Sequence, residues 1–162
     1  MEQLSHKNYK QVVKSVETSK EWPENLGVGK PYDNMIDNRL EDYLEAKAAA
    51  GQGDSRKTSA LLAAVADYTI SRSHFESGNL LSALALRESG KVQEADHMVA
   101  AWSTDFPANR VVQWCTAIYR GEKEKAVGML QSRNDQTNTT PWEASFRDSN
   151  FDLIVRLFST EQ

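Results

Sequence analysis

The stretch "GKVQEADHMVAAWSTDFP", residues Gly90 to Pro107, decides how this chain folds. Val92, Ala95, Val99 and Trp102 recur at the three-and-four spacing of one helix face, which predicts an amphipathic helix with these four side chains buried. Glycine opens the stretch and proline closes it. The segment before it, "NLLSALALRES" from Asn79, is rich in helix formers. Glycine permits the tight turn between two antiparallel helices, and the small Ala95, one turn into the second helix, lets the pair approach closely. The whole reads as a helical hairpin.

The same pattern occurs twice more. "GDSRKT" from Gly53 and "GEKEKA" from Gly121 place Thr58 and Ala126 five residues after the glycine, as Ala95 follows Gly90. The glycines are 37 and 31 residues apart, which brackets the repeat of about 34 residues known for helical hairpin arrays. Hairpins are expected at about 37–70, 77–107 and 108–133. The first carries Leu40, Tyr43, Leu44 and Ala48 on one helix and Leu61, Leu62, Val65 and Tyr68 on the other. The third is shorter and less regular, with Trp114 on its first helix. Ala48 sits where the repeat register imposes little constraint. A further helix precedes the array, with Tyr9, Val12, Val13 and Val16 at helical spacing, and stops before Pro23. After the polar loop "RNDQTNTT", Thr140, Pro141 and Glu143 form a capping-box pattern. A last helix with Phe151, Ile154, Val155 and Phe158 completes a capping region at 140–160. The fold class is all-α, one domain over 1–162.

Composition narrows the function. The 19 basic and 23 acidic residues give a net charge of -4 with no basic stripe, which argues against nucleic acid as partner. No run approaches the roughly 18 apolar residues of a membrane span. "MEQLSHKNYK" has no apolar signal core, so a cytoplasmic location is slightly favoured while the compartment stays unassigned. Cys115 is the one cysteine, which rules out an internal disulfide, and its apolar surroundings suggest a small buried thiol.

No stretch carries catalytic chemistry. "ENLGVGKP" at Glu24 to Pro31 has the glycines and lysine of a phosphate loop, but Pro31 stands where Ser or Thr is required and a helix rather than a strand precedes it. Gly27 and Gly29 read as turn residues. His6, His74 and His97 are too scattered for a metal site. The acid pairs Glu41 with Asp42 and Glu122 with Glu124 fit helix capping and solvation better than general acid and base work. Ser59, Ser71, Ser73, Ser77 and Ser82 lack a nucleophile elbow. Trp102 and Trp114 read as core, while Trp22 and Trp142, beside prolines, pack at hairpin ends or touch another domain. No cofactor and no metal are expected, and the chain does not read as an enzyme.

The unit with Gly90, Ala95 and Pro107 resembles the tetratricopeptide repeat. A longer resemblance covers "WPENLGVGKPYD" and "NRLEDYLEAKAAAGQGD", which look like the C-terminal helical region of large bacterial proteins of uncharacterised function. In that family such repeats follow a β-rich domain related to carbohydrate-binding or glycoside-processing modules. The resemblance implies a right-handed solenoid of antiparallel helix pairs with a C-terminal capping helix. It also implies that Met1 is an artificial start, and that the Pro23 to Gly27 run connects one hairpin to the next. Thr58, Glu45 and Trp114 depart from the family pattern. The implied function is a noncatalytic scaffold that binds a protein, a peptide or a neighbouring domain of the same chain. The first helix of each pair lines the binding face, in family register through Tyr43, Lys47, Leu84, Arg87 and Tyr119. The alternative is a helical accessory domain of a carbohydrate-active enzyme whose catalytic part lies elsewhere.

Overall fold

The computed structural model describes residues 8–21, 36–70, 75–134, 148 and 150–159. The stretch from Glu24 to Pro31, His6, His74, Ser71, Ser73, Trp22, Trp142 and the capping box at Thr140, Pro141 and Glu143 lie outside them. The described residues are all-α, with eight helices and no strand. In chain order these are α1 (Tyr9–Lys20), α2 (Arg39–Gly51), α3 (Ser55–Ile70), α4 (Gly78–Glu88), α5 (Val92–Asp105), α6 (Arg110–Tyr119), α7 (Lys123–Asn134) and α8 (Phe151–Ser159).

Three of the connections are built alike, and each turns on its glycine. Gly53, Gly90 and Gly121 have φ of 79°, 82° and 74°, in the left-handed region that a Cβ disfavours. Each glycine N–H bonds the carbonyl three residues back, and the next residue's N–H reaches five back: Asp54 to Ala49, Lys91 to Leu86, Glu122 to Ala117. This is the Schellman arrangement, which satisfies helix-end carbonyls that would otherwise be orphaned. The next helix starts at once. The carbonyls of Asp54, Lys91 and Glu122 accept from the N–H groups of Thr58, Ala95 and Ala126, the small residues five after each glycine. Ala95 and Ala126 are buried, whereas Thr58 is partly exposed and spends its hydroxyl on the Asp54 carbonyl.

Each helix from α1 to α5 packs on its successor, α5 packs on α6 and α6 on α7. Alternate helices also meet: α2 lies against α4 and α4 against α6, while no comparably packed contact joins α3 to α5 or α5 to α7 among the described residues. The helices α2, α4 and α6 therefore form a continuous row. One core runs through α2 to α8, with Leu80, Leu81, Val99, Val111, Val112, Trp114, Phe151 and Ile154 almost fully removed from water. A second, small cluster of Val12, Val16 and Ala48 seats α1 on α2.

Two expectations about packing fail. Val92 is 46% exposed, because it is the first residue of α5 and projects before the helix reaches the core; Ala95, Val99 and Trp102 alone make the buried stripe. Ala48 is fully buried, as its place on the apolar stripe implies, but α1 covers it, a constraint that the repeat register left out. The indole of Trp114 meets Phe151 of α8 edge-on, with ring centroids 5.3 Å apart. Where α2 and α4 carry Ala46 and Ala83 seven residues before their turn glycines, α6 carries the side chain on which α8 packs.

Candidate binding site

The row of helices brings the five expected residues into two groups joined at the C-terminal end of α4. Tyr43 and Lys47 lie one turn apart on α2, and both reach Glu88 at the end of α4: the Tyr43 hydroxyl donates to Oε1 at 2.7 Å and Lys47 Nζ at 3.2 Å. Arg87, the residue before Glu88, turns the other way, donates to the Tyr119 carbonyl at 2.8 Å and lies 4.7 Å from the centre of its ring. Tyr119 in turn donates its hydroxyl to Asp96 at 2.7 Å. Burial, that bond and the Asp96 charge push the phenol up to about 12. Tyr43, Leu84 and Tyr119 are buried, and Arg87 and Lys47 carry the polar ends that reach solvent.

Leu84 and Arg87 also belong to a groove of about 170 Å³. Trp114 and Ile118 of α6 form its floor with Leu84, and Val127 and Leu130 of α7 and Phe158 of α8 make its walls. Arg87 and Lys123 are its charged lining residues, and among the described residues no carboxylate lines it. Among the described residues neither cation makes an ion pair, although Lys47, Lys57, Lys91 and Lys125 each do. Trp114 is 1% exposed and its indole N–H has no hydrogen-bond partner. A buried donor left unpaired costs about 1 to 3 kcal/mol of stability. Sequence reasoning reached Leu84 and Arg87 but not the far wall. Lys123, Val127 and Leu130 sit on α7 and Phe158 on α8, and no periodicity in the chain links them.

No family model, curated protein or solved structure matches this chain.

A polar knot lies at the other end of α4. Arg39 is 2% exposed, and all five of its N–H donors are occupied: Nε and Nη2 by Asp37 at 2.9 and 2.8 Å, Nη1 by Thr69 at 2.7 Å and Asn79 at 2.6 Å, and Nη2 again by Glu76 at 2.5 Å. The Tyr68 ring lies 4.6 Å from the guanidinium carbon. A Cβ on Gly78 would fall 2.6 Å from that carbon, so glycine at the start of α4 makes room for the cation. Sequence reading missed this cluster because residues 37, 39, 69, 76 and 79 share no motif. Its donors are saturated within the fold, which makes it a clasp joining α2, α3 and α4 rather than a site.

The remaining titratable groups are accounted for by packing. The Cys115 thiol is fully buried, and burial pushes it well above its usual range, which leaves it a core side chain. Glu45, buried on α2, is held by Lys57 at 2.7 Å and Lys20 at 2.9 Å. Burial alone would raise its pKa, but the two ammonium groups outweigh it and hold the carboxyl below the ordinary range. Asp42 shares Lys20 at 2.6 Å, while burial raises the neighbouring Glu41 carboxyl. His97 is exposed on α5. Among the described residues no helix is long and apolar enough to cross a membrane.

Proposed function

We propose that this protein is a noncatalytic binding scaffold, built as a tetratricopeptide-like right-handed solenoid of antiparallel helix pairs, whose row of first helices receives a peptide or a neighbouring domain. The observation that carries the reading is the row α2, α4, α6, which ends in a groove with an apolar floor and two cations that have no carboxylate partner among the described residues. Three identically closed glycine turns at near-repeat spacing support the pairing. Short turns of this kind reverse the chain direction, and stacked pairs then leave one helix of each on a common face. A groove with apolar floor and charged edge is suited to anchor one side chain of a partner while the rim sets orientation.

The test is to pan a random-peptide display library on the protein and map the enriched peptide by nitrogen-edited NMR. Shifts concentrated on Lys47, Leu84, Arg87, Ile118 and Tyr119 are expected. Shifts confined to α3 and α5, or no enrichment over a helical control protein of equal charge, would overturn the reading.

A further inference from the structure

The groove between α4, α6, α7 and α8 is specific enough in size and charge to limit what enters it, if the binding role proposed above is right. We infer that it docks a segment of a partner protein in which a single Phe- or Leu-sized side chain is flanked by Asp or Glu. Size sets the first half of that statement. A volume of about 170 Å³ is close to the roughly 150 Å³ that takes up one benzene ring and well below the roughly 300 Å³ at which pockets for drug-sized ligands begin. One anchor side chain fits. Leu84, Ile118, Leu130 and Phe158 offer it an apolar lining, and Val127, 39% exposed at the wall, gains burial when the groove is filled.

Charge sets the second half. The chain as a whole is acidic, at -4, yet among the described residues the groove is lined by Arg87 and Lys123 and by no acid. Arg87 is held in place by the Tyr119 ring and carbonyl, which fixes the guanidinium while leaving further donors for a carboxylate. The local sign opposite to the net sign is electrostatic complementarity to an acidic segment. Trp114, part of the lining, carries a buried indole N–H without an acceptor, whose resonance reports on what fills the groove.

The probes are three peptides acetylated at the N-terminus and amidated at the C-terminus, so that no terminal carboxylate takes part: Glu-Glu-Phe-Glu-Glu, its all-Gln counterpart, and the Glu peptide with Ala in place of Phe. Titration into the whole chain at low salt is followed through the indole N–H resonances, with the Trp114 signal assigned from Trp114→Phe. The Glu-Phe peptide is expected to bind at least about 10-fold more tightly than either control, with the advantage over the Gln peptide shrinking as salt is raised to about 0.5 M. It should move the Trp114 N–H signal. Lys123→Gln, an exposed change that spares the core, should cut the advantage about threefold without moving the melting midpoint. Arg87→Gln should cut it further.

Equal affinity for the Glu and Gln peptides would overturn the acidic half of the inference and leave the scaffold reading intact. Binding mapped to Tyr43 and Lys47 with the Trp114 signal unmoved would overturn the groove but keep the row. Self-association seen by sedimentation and abolished by Lys123→Gln would make a second copy the occupant. A free aromatic carboxylate such as phenylacetate binding as tightly as the peptide would make it a small-molecule site. Each of those two results overturns the inference, as does absence of peptide binding when a panned sequence still binds.

Discussion

The two ends of α4 solve the same packing problem with opposite materials. Seven residues before each turn glycine the chain places Ala46, Ala83 and Trp114. At the first two, alanine lets the helices close, and Gly78 leaves room for the Arg39 guanidinium with every donor satisfied. At the third, an indole stands between α6 and α8, meets Phe151 edge-on, and forms the floor of an open groove with its own N–H unspent. A polar cluster that saturates its own donors has nothing left to offer a partner. An aromatic junction that leaves two cations over does.

The contrast can be broken most severely at Arg39. Arg39→Ala takes the cation from the partly exposed Asp37 and Glu76 carboxylates and leaves the buried Thr69 and Asn79 side chains short of a donor, so a loss of about 3 kcal/mol or more is expected from urea melts. A loss under about 1 kcal/mol would mean that water replaces the cation freely and that the clasp is not closed. Trp114→Ala attacks the other end. Its expected cost is about 3 kcal/mol, the lower part of the range for such truncations because the site already borders a groove. Its diagnostic is a weaker hold on α8, read as faster amide exchange from Phe151 to Ser159.

Ala95→Leu sharpens the comparison where helices are nearest. Ala95 is fully buried between α5 and α4, so enlargement should cost about 1 to 3 kcal/mol by overpacking. Ala48→Leu should now cost a similar amount, since α1 covers that alanine. If Ala48→Leu is neutral in the melt, α1 does not dock in solution as drawn. The smallest effect concerns pH. The Glu45 carboxyl has a folded pKa below its unfolded one, so its contribution is complete above the ordinary carboxylate value and is lost as pH falls through the depressed one. Exchange protection of α1 should therefore fall below about pH 4, with Glu45→Gln showing the weakened protection already at neutral pH.

The turns were legible because glycine is a local signal: a left-handed residue at 53, 90 or 121 declares itself without knowledge of what packs on it. The helices were legible from their apolar period. Val92 misled because periodicity marks an angular face and is blind to where along that face the neighbouring helix begins. Ala48 misled because a register drawn for the repeats alone took no account of α1. The Arg39 clasp was illegible, since its partners come from three helices and their connections, and an arginine at a helix start looks like any solvated cation. Half of the groove was readable, through Leu84 and Arg87 on a first helix; its opposite wall depends on how α7 and α8 are set against α6, which no spacing in the chain encodes.

The Schellman turns have a kinetic consequence. Among the described residues the densest helix contacts join elements no more than two apart along the chain, and only α8 returns across a long interval to α4, so most loops that must close during folding are short and their entropic cost is small. Such a chain need not search for distant strands, and its folding rate should sit with helical bundles rather than with sheets. Unfolding, by the same logic, need not be all at once. α1, seated on α2 alone by a small cluster of Val12, Val16 and Ala48 with Tyr9, Val13 and Leu44 at its edge and by the two bonds of Lys20, is the element whose amides should exchange first, well before α4, which touches neighbours on both sides and whose opening must dismantle the row.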